Sequence, residues 1–298
     1  MSLVIKQLKK RYGNLQVLNG VNFEVKQGEI FAILGRNGAG KTTLINALMQ
    51  LTDYEGEIVY DFNKKNLYKN INLQLQTSQF EEGAKVLETC KLYKALLRSD
   101  VNLDNLLDEL ELSNFKNNYI KTLSGGQKQK LSIVLTLIGQ PKIIIFDELT
   151  TGLDTIARRG IWDLLKKINK INHTTIILTS HFLDEVEYLA DRVMILDNGI
   201  AIKIDTVNNI IDNLFESKKK IQFKISDIDR GNNTFSFQFW LLRDNLFETE
   251  CTKVEENAVL SEIIKNNGFD INMKSFLFED AFLKIMGYKL TNEGEVER

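Results

Sequence analysis

Gly35, Arg36, Asn37, Gly38, Ala39, Gly40, Lys41 and Thr42 concentrate more chemistry than any other stretch of the chain. Their spacing is that of a phosphate-binding loop, G-x-x-x-x-G-K-[ST]. Glycines there let backbone N–H groups turn onto phosphate oxygens with no side chain in the way. Lys41 is then expected at the β- and γ-phosphates, with the Thr42 hydroxyl on Mg²⁺ and Thr43 beside it. The pattern arises by chance in roughly one chain of this length in 100, so its neighbours decide. Residues 30–34 are apolar throughout, as in a strand buried on both faces, and Leu44, Ile45, Leu48 and Met49 follow at helical spacing. A helix beginning at Lys41 aims its positive dipole end at the same anion.

Residues 143–146 form another apolar run, which ends in Asp147 and Glu148. A strand of that kind delivers two carboxylates to the sheet edge where ligands of α/β folds bind. Asp147 is expected to bind Mg²⁺, directly or through water, and Glu148 to polarise the water that attacks the γ-phosphate. Between the two halves of this site lie Leu123, Ser124, Gly125, Gly126 and Gln127. They read as a second glycine-opened helix start, offering backbone N–H groups and the Ser124 hydroxyl to an anion. One ATP needs only one such cradle, and this chain carries two.

The Leu-Ser-Gly-Gly-Gln run resembles the signature of ABC transporter ATPases, and residues 2–205 are similar to that family in the order of their motifs. The resemblance implies that Ser124, Gly125, Gly126 and Gln127 contact the ATP of a second ATPase subunit, identical or homologous, in a head-to-tail dimer. Tyr12 resembles the aromatic residue that stacks on adenine. Gln76, in preference to Gln74, looks like the glutamine that touches Mg²⁺ and senses the γ-phosphate. Thr151, Gly152, Leu153 and Asp154 resemble the loop lying across the dimer seam, and His181 the switch histidine that holds Glu148 and water in place. Leu149 stands where the family usually has proline, a departure expected to alter loop stiffness more than chemistry.

The family likeness also implies a separate multi-spanning membrane subunit, gripped by the segment from Gln76 to about Arg98, and a cytoplasmic place on the inner face of the cell membrane. Residues 275–287 are similar to the ending of many bacterial exporter ATPases, so export is expected. Small exporters of peptides, such as those for phenol-soluble modulins, share this general look. An importer subunit and an ABC ATPase without a transporter are the alternatives.

The elements that must position these residues follow from periodicity. Residues 3–8 and 21–25 alternate as half-buried strands do, while 143–146, 175–179 and 193–196 suit strands buried on both faces. Helical patterns are read at 86–112, 126–139, 156–171 and 183–190. The expected fold is α/β: a P-loop ABC-type ATPase domain over 1–215. It has a mixed, mainly parallel sheet, an antiparallel β subdomain and an α-helical subdomain at about 77–139. Beyond it, alternating runs at 221–225 and 235–239 followed by helical patterns suggest a small α+β appendage over 216–298.

Composition narrows the classes further. The 298 residues are 43% hydrophobic and 26% charged, as in ordinary globular proteins. A formal net charge of −2 argues against a nucleic-acid partner, which asks for a basic excess. Two distant cysteines make no disulfide framework and read as small apolar fillers. No uncharged apolar run reaches the ~18 residues of a membrane-spanning helix.

Overall fold

The apolar runs become the middle of a six-stranded sheet in the computed structural model, which describes residues 3–74, 81, 83–225, 235–290 and 296–297. The chain divides into two compact units, Met1–Thr206 and Val207–Arg298. In the first, β1 (Leu3–Tyr12) and β2 (Leu15–Val25) precede β3 (Ile30–Leu34), α1 (Lys41–Leu48), β4 (Glu55–Tyr60), α2 (Leu67–Asn70) and β5 (Ile71–Gln74). Helices α3 (Val86–Leu97), α4 (Leu103–Glu109) and α5 (Gly125–Ile138) come next. Then β and α alternate: β6 (Ile143–Asp147), α6 (Thr155–Asn172), β7 (Thr175–Ser180), α7 (Leu183–Leu189), β8 (Arg192–Asp197) and β9 (Ile200–Asp205).

The large sheet has the order β5-β6-β7-β3-β8-β9, parallel except for the β8–β9 hairpin at its edge. β3, β6 and β7 are buried along their whole length, which is why their sequences lack the alternation of one-faced strands. Register puts Ile33 beside Thr179 and Asp147 beside Thr179, so β3, β7 and β6 end at one level. Three loops therefore open on the same edge.

A second sheet, β2-β1-β4, is antiparallel, and alternate residues Leu3, Ile5, Val21, Phe23 and Val25 enter a core shared with Leu44, Ile45 and Leu48 of α1. Phe23 stacks on Phe31 at 5.4 Å. The expected helix over 86–112 is two helices. Arg98 turns left-handed (φ 51°) to end α3, and the Asn102 side chain caps α4 by accepting from Asn105 N. On α3, Leu92 and Leu96 are exposed, while Val86 and Cys90 are buried. Burial pushes the Cys90 thiol up to about 12, which suits a filler rather than a nucleophile.

The second unit starts at Val207, ahead of the expected boundary at 215, because α8 (Val207–Phe215) packs with α10 (Phe278–Ile285). It continues with β10 (Lys219–Lys224), β11 (Trp240–Arg243), β12 (Leu246–Cys251), α9 (Glu256–Lys265), β13 (Phe269–Ser275) and α10 (Phe278–Ile285). The antiparallel order β11-β12-β10-β13 lays Ile221, Phe223, Phe247 and Cys251 against Val259 and Ile263 of α9. The alternating run 235–239 is not a strand. Phe235, Phe237 and Phe239 gather around Phe223 at 5.8–6.4 Å, so ring packing takes the place of a ladder and β11 begins only at Trp240. Among the described residues no helix is long and apolar enough to cross a membrane.

The turn between β8 and β9 carries a sharp constraint. Gly199 has φ +73°, its N–H donates to the carbonyl of Ala39 in the glycine loop, and a Cβ there would stand 2.1 Å from the Val17 carbonyl oxygen. Gly199→Ala is expected to destabilise by about 2 kcal/mol or more, lowering Tm by on the order of 5 °C in a thermal melt.

Candidate functional site

The glycine loop leaves β3 and closes on α1 through Gly40, whose φ of 106° is left-handed and whose place no side chain cap fills. The first-turn N–H groups of α1 are thus not claimed by a side-chain cap and are open to an anion. Arg36, Asn37 and Gly38 are exposed, while Gly35, Ala39 and Gly40 are buried under the loop. Lys41 is only 6% exposed. Its Nζ donates to the carbonyls of Gly35 (2.8 Å) and Arg36 (3.3 Å) and stands 3.7 Å from Glu148 Oε1. Thr42 is exposed and Thr43 half-buried on the first turn.

Asp147 is buried at the end of β6, where the Thr179 hydroxyl donates to its Oδ1 at 2.5 Å. Glu148 N donates to the same hydroxyl oxygen (3.1 Å) and to the Thr179 carbonyl (3.2 Å). One buried threonine therefore fixes both acids. Glu148 itself has φ +50°, a backbone conformation that costs a non-glycine residue of order 1 kcal/mol. That turn swings its carboxylate towards Lys41 and to 3.4 Å from His181 Nδ1. The His181 ring leans on Phe182 with centroids 4.1 Å apart. The structure thus brings Lys41, Glu148 and His181 together at one sheet edge, beside Asp147. Thr179 is a residue that sequence reasoning missed, because its role follows only from its register opposite Asp147.

The donors suited to Mg²⁺ are hard oxygens, the Thr42 hydroxyl and the Asp147 carboxylate. Among the described residues no cluster of three or more His, Cys, Asp or Glu side chains could hold a metal alone. This fits an ion that takes one or two protein oxygens and completes its octahedron with phosphates and water. Gln76, the remaining expected ligand, lies outside the described residues.

Ser124 caps α5 in a reciprocal box: its Oγ accepts from Gln127 N (3.3 Å), and Gln127 Oε1 accepts from Ser124 N (2.9 Å). Ser124 and Gly125 are exposed, with Gly126 and Gln127 half-buried. Asp154 caps α6 in the same manner, its Oδ1 accepting from Ala157 N at 2.8 Å. Gln129, two residues beyond Gln127, donates from Nε2 to the Leu149 carbonyl at 2.5 Å, tying α5 to the segment after Glu148. Tyr12 ends β1 with its ring 48% exposed and Lys10 Nζ 4.8 Å from the centroid.

A family model described as ABC transporter matches residues 18–151. The methionine import ATP-binding protein MetN of Campylobacter jejuni is 30% identical over 328 aligned positions, covering 99% of this chain and 94% of that protein. The chain belongs to the ATP-binding subunits of ABC transporters. An uncharacterised ABC transporter ATP-binding protein of Methanocaldococcus jannaschii, MJ1023, is 32% identical over 83% of this chain and 98% of its own. Among solved structures, the dimeric post-hydrolysis cassette MJ0796 with ADP and Pi bound has a TM-score of 0.58 at 26% identity, over 68% of this chain and 98% of that one. The protein is accordingly an ATP-hydrolysing ABC cassette.

Thr179→Val keeps the shape of the side chain and removes the hydroxyl that Asp147 and Glu148 share. Leaving the buried Asp147 carboxylate without this donor should cost about 1–3 kcal/mol of stability and lower ATPase turnover, while Glu148 N keeps the Thr179 carbonyl. Denaturant unfolding and a steady-state phosphate-release assay check the two effects.

Proposed function

We propose that this ATPase works as a head-to-tail dimer, binding two ATP molecules at composite sites and energising a separate multi-spanning membrane subunit from the cytoplasmic face. The observation that carries the hydrolytic part is the meeting of Lys41 and His181 on the Glu148 carboxylate, at 3.7 and 3.4 Å. In this reading the loop Gly35 to Gly40, Lys41, Thr42 and Thr43 cradle the phosphates, and Tyr12 covers the adenine. Mg²⁺ held by Thr42, Gln76 and Asp147 would neutralise phosphate charge. Glu148 orients the attacking water and accepts its proton, and His181 keeps Glu148 in place while contacting the γ-phosphate.

The second cradle, Ser124 to Gln127, supports the dimer: an exposed capped helix start serves the neighbour's triphosphate, with Asp154 near the seam. ATP drives closure because only the closed pair completes the site, so the ligand binds that state better. For the membrane partner the supporting feature is α3, where Leu92, Tyr93, Leu96 and Leu97 are all exposed. An apolar strip of this kind on a helix suits a groove in another protein.

Export is the favoured direction, on the resemblance of residues 275–287 to exporter endings. Import is the second reading, favoured by the methionine-import relative that spans 99% of the chain. Purification of the chain with its membrane subunit, followed by transport of labelled substrate into or out of vesicles, separates them.

Glu148→Gln should leave ATP binding intact, reduce steady turnover by about 100-fold or more, and accumulate an ATP-bound dimer visible by size-exclusion chromatography. Hydrolysis at the parent rate would show that Glu148 does not have this role. Lys41→Ala should lose ATP affinity itself, as measured by fluorescent-nucleotide titration.

A further inference from the structure

Behind the hydrolytic edge lies a carboxylate to which the reaction assigns nothing. Glu185, in the first turn of α7, is 3% exposed. Its Oε1 accepts from the Thr150 hydroxyl at 2.7 Å and from the Trp162 indole N–H at 2.9 Å. The Ser180 hydroxyl and the Arg158 guanidinium are close enough to favour its charged form. Burial raises the Glu185 carboxyl above its ordinary range, and these four groups pull it back down.

The partners come from three different pieces of chain. Thr150 is wholly buried two residues after Glu148. Trp162 sits on α6, the helix capped by Asp154. Ser180 ends β7 immediately before His181, and its Oγ also accepts from Phe182 N at 2.9 Å. Taking a carboxylate out of water costs several kcal/mol, and an apolar side chain of similar size would fill the same volume without that cost. What an apolar residue could not do is gather two donors from separate segments onto one oxygen.

We infer that Glu185 is a positioning residue for ATP hydrolysis: it holds the segment following Glu148, the start of the His181 segment and helix α6 in one fixed relation. Buried as it is, it acts through other residues and not on the nucleotide directly. Its effect reaches the chemistry through the Glu148–His181 separation, which depends on where residues 149–150 and 180–182 are pinned. Misplacing such groups by an ångström is enough to cost large factors in rate without weakening binding. The same pinning joins the hydrolytic pair to the helix whose cap, Asp154, is placed near the dimer seam.

This inference rests on the roles proposed for Glu148 and His181, and the test separates the two. In the full-length ATPase, Glu185→Gln keeps the shape and one acceptor oxygen while removing the charge. Thr150→Val deletes one donor from the opposite end, and Thr150→Ser retains it. Glu185→Gln and Thr150→Val should each lower kcat by about tenfold, with KM for ATP and nucleotide affinity unchanged. Thr150→Ser should recover most of that loss. The double variant Glu185→Gln/Thr150→Val should be no slower than the slower single, since both cut the same link. Parental kcat in Glu185→Gln and Thr150→Val, or a Thr150→Ser variant as slow as Thr150→Val, overturns the inference. If Glu185→Gln does not fold, the Thr150 pair decides. Should Glu148→Gln turn over at the parent rate, the proposed chemistry fails instead, whatever Glu185 does.

Discussion

The register of three parallel strands is the constraint on which the site depends. Ile33 of β3 lies beside Thr179 of β7, and Thr179 beside Asp147 of β6, so the glycine loop, the His181 segment and the acidic pair leave the sheet at one level. Parallel strands cannot slip by one residue here, because every side chain along them is buried and a slip would exchange the two packed faces. Thr179 converts that register into chemistry. Its hydroxyl is bonded to Asp147 and to the backbone of Glu148, so the two acids cannot drift apart from the strand that leads to His181.

Around this edge the chain spends local conformational energy where it gains orientation. Glu148 takes a left-handed backbone. Gly40 does so without strain, and the helix behind it keeps its leading N–H groups clear of any side chain cap. Lys41 is buried with its charge shared among two carbonyls and Glu148. The buried cation therefore serves both to shape the loop and to place the acid, which is how a preorganised site avoids rearranging during reaction.

Much of this was legible from residue types. Wholly apolar strands 30–34 and 143–146, each ending in polar residues, located both halves of the site, and α5 begins within one residue of the expected position. What stayed hidden depends on partners distant in sequence. Thr179 looks like any strand threonine until Asp147 lies opposite it. Leu92 and Leu96 have helical spacing, yet periodicity cannot say whether an apolar face meets this chain or another. Phe235, Phe237 and Phe239 alternate as a strand would, but their rings gather around Phe223 and the backbone follows them. The boundary at Val207 is invisible locally, because α8 is assigned to the second unit by what it packs on.

Helix α5 has one further consequence. Its capped start is the end offered outward, while Gln129, in the first turns, grips the Leu149 carbonyl next to Glu148. In the dimer proposed above, one stretch of helix would thus stand beside two reaction centres, its own and its neighbour's. Because Ser124 and Gln129 lie within the first two turns, a load placed on that start would be felt at the Leu149 carbonyl, beside the home acid. Thermodynamic reciprocity requires the reverse as well, so two such helices in one dimer would make each centre a gauge of whether the other is loaded.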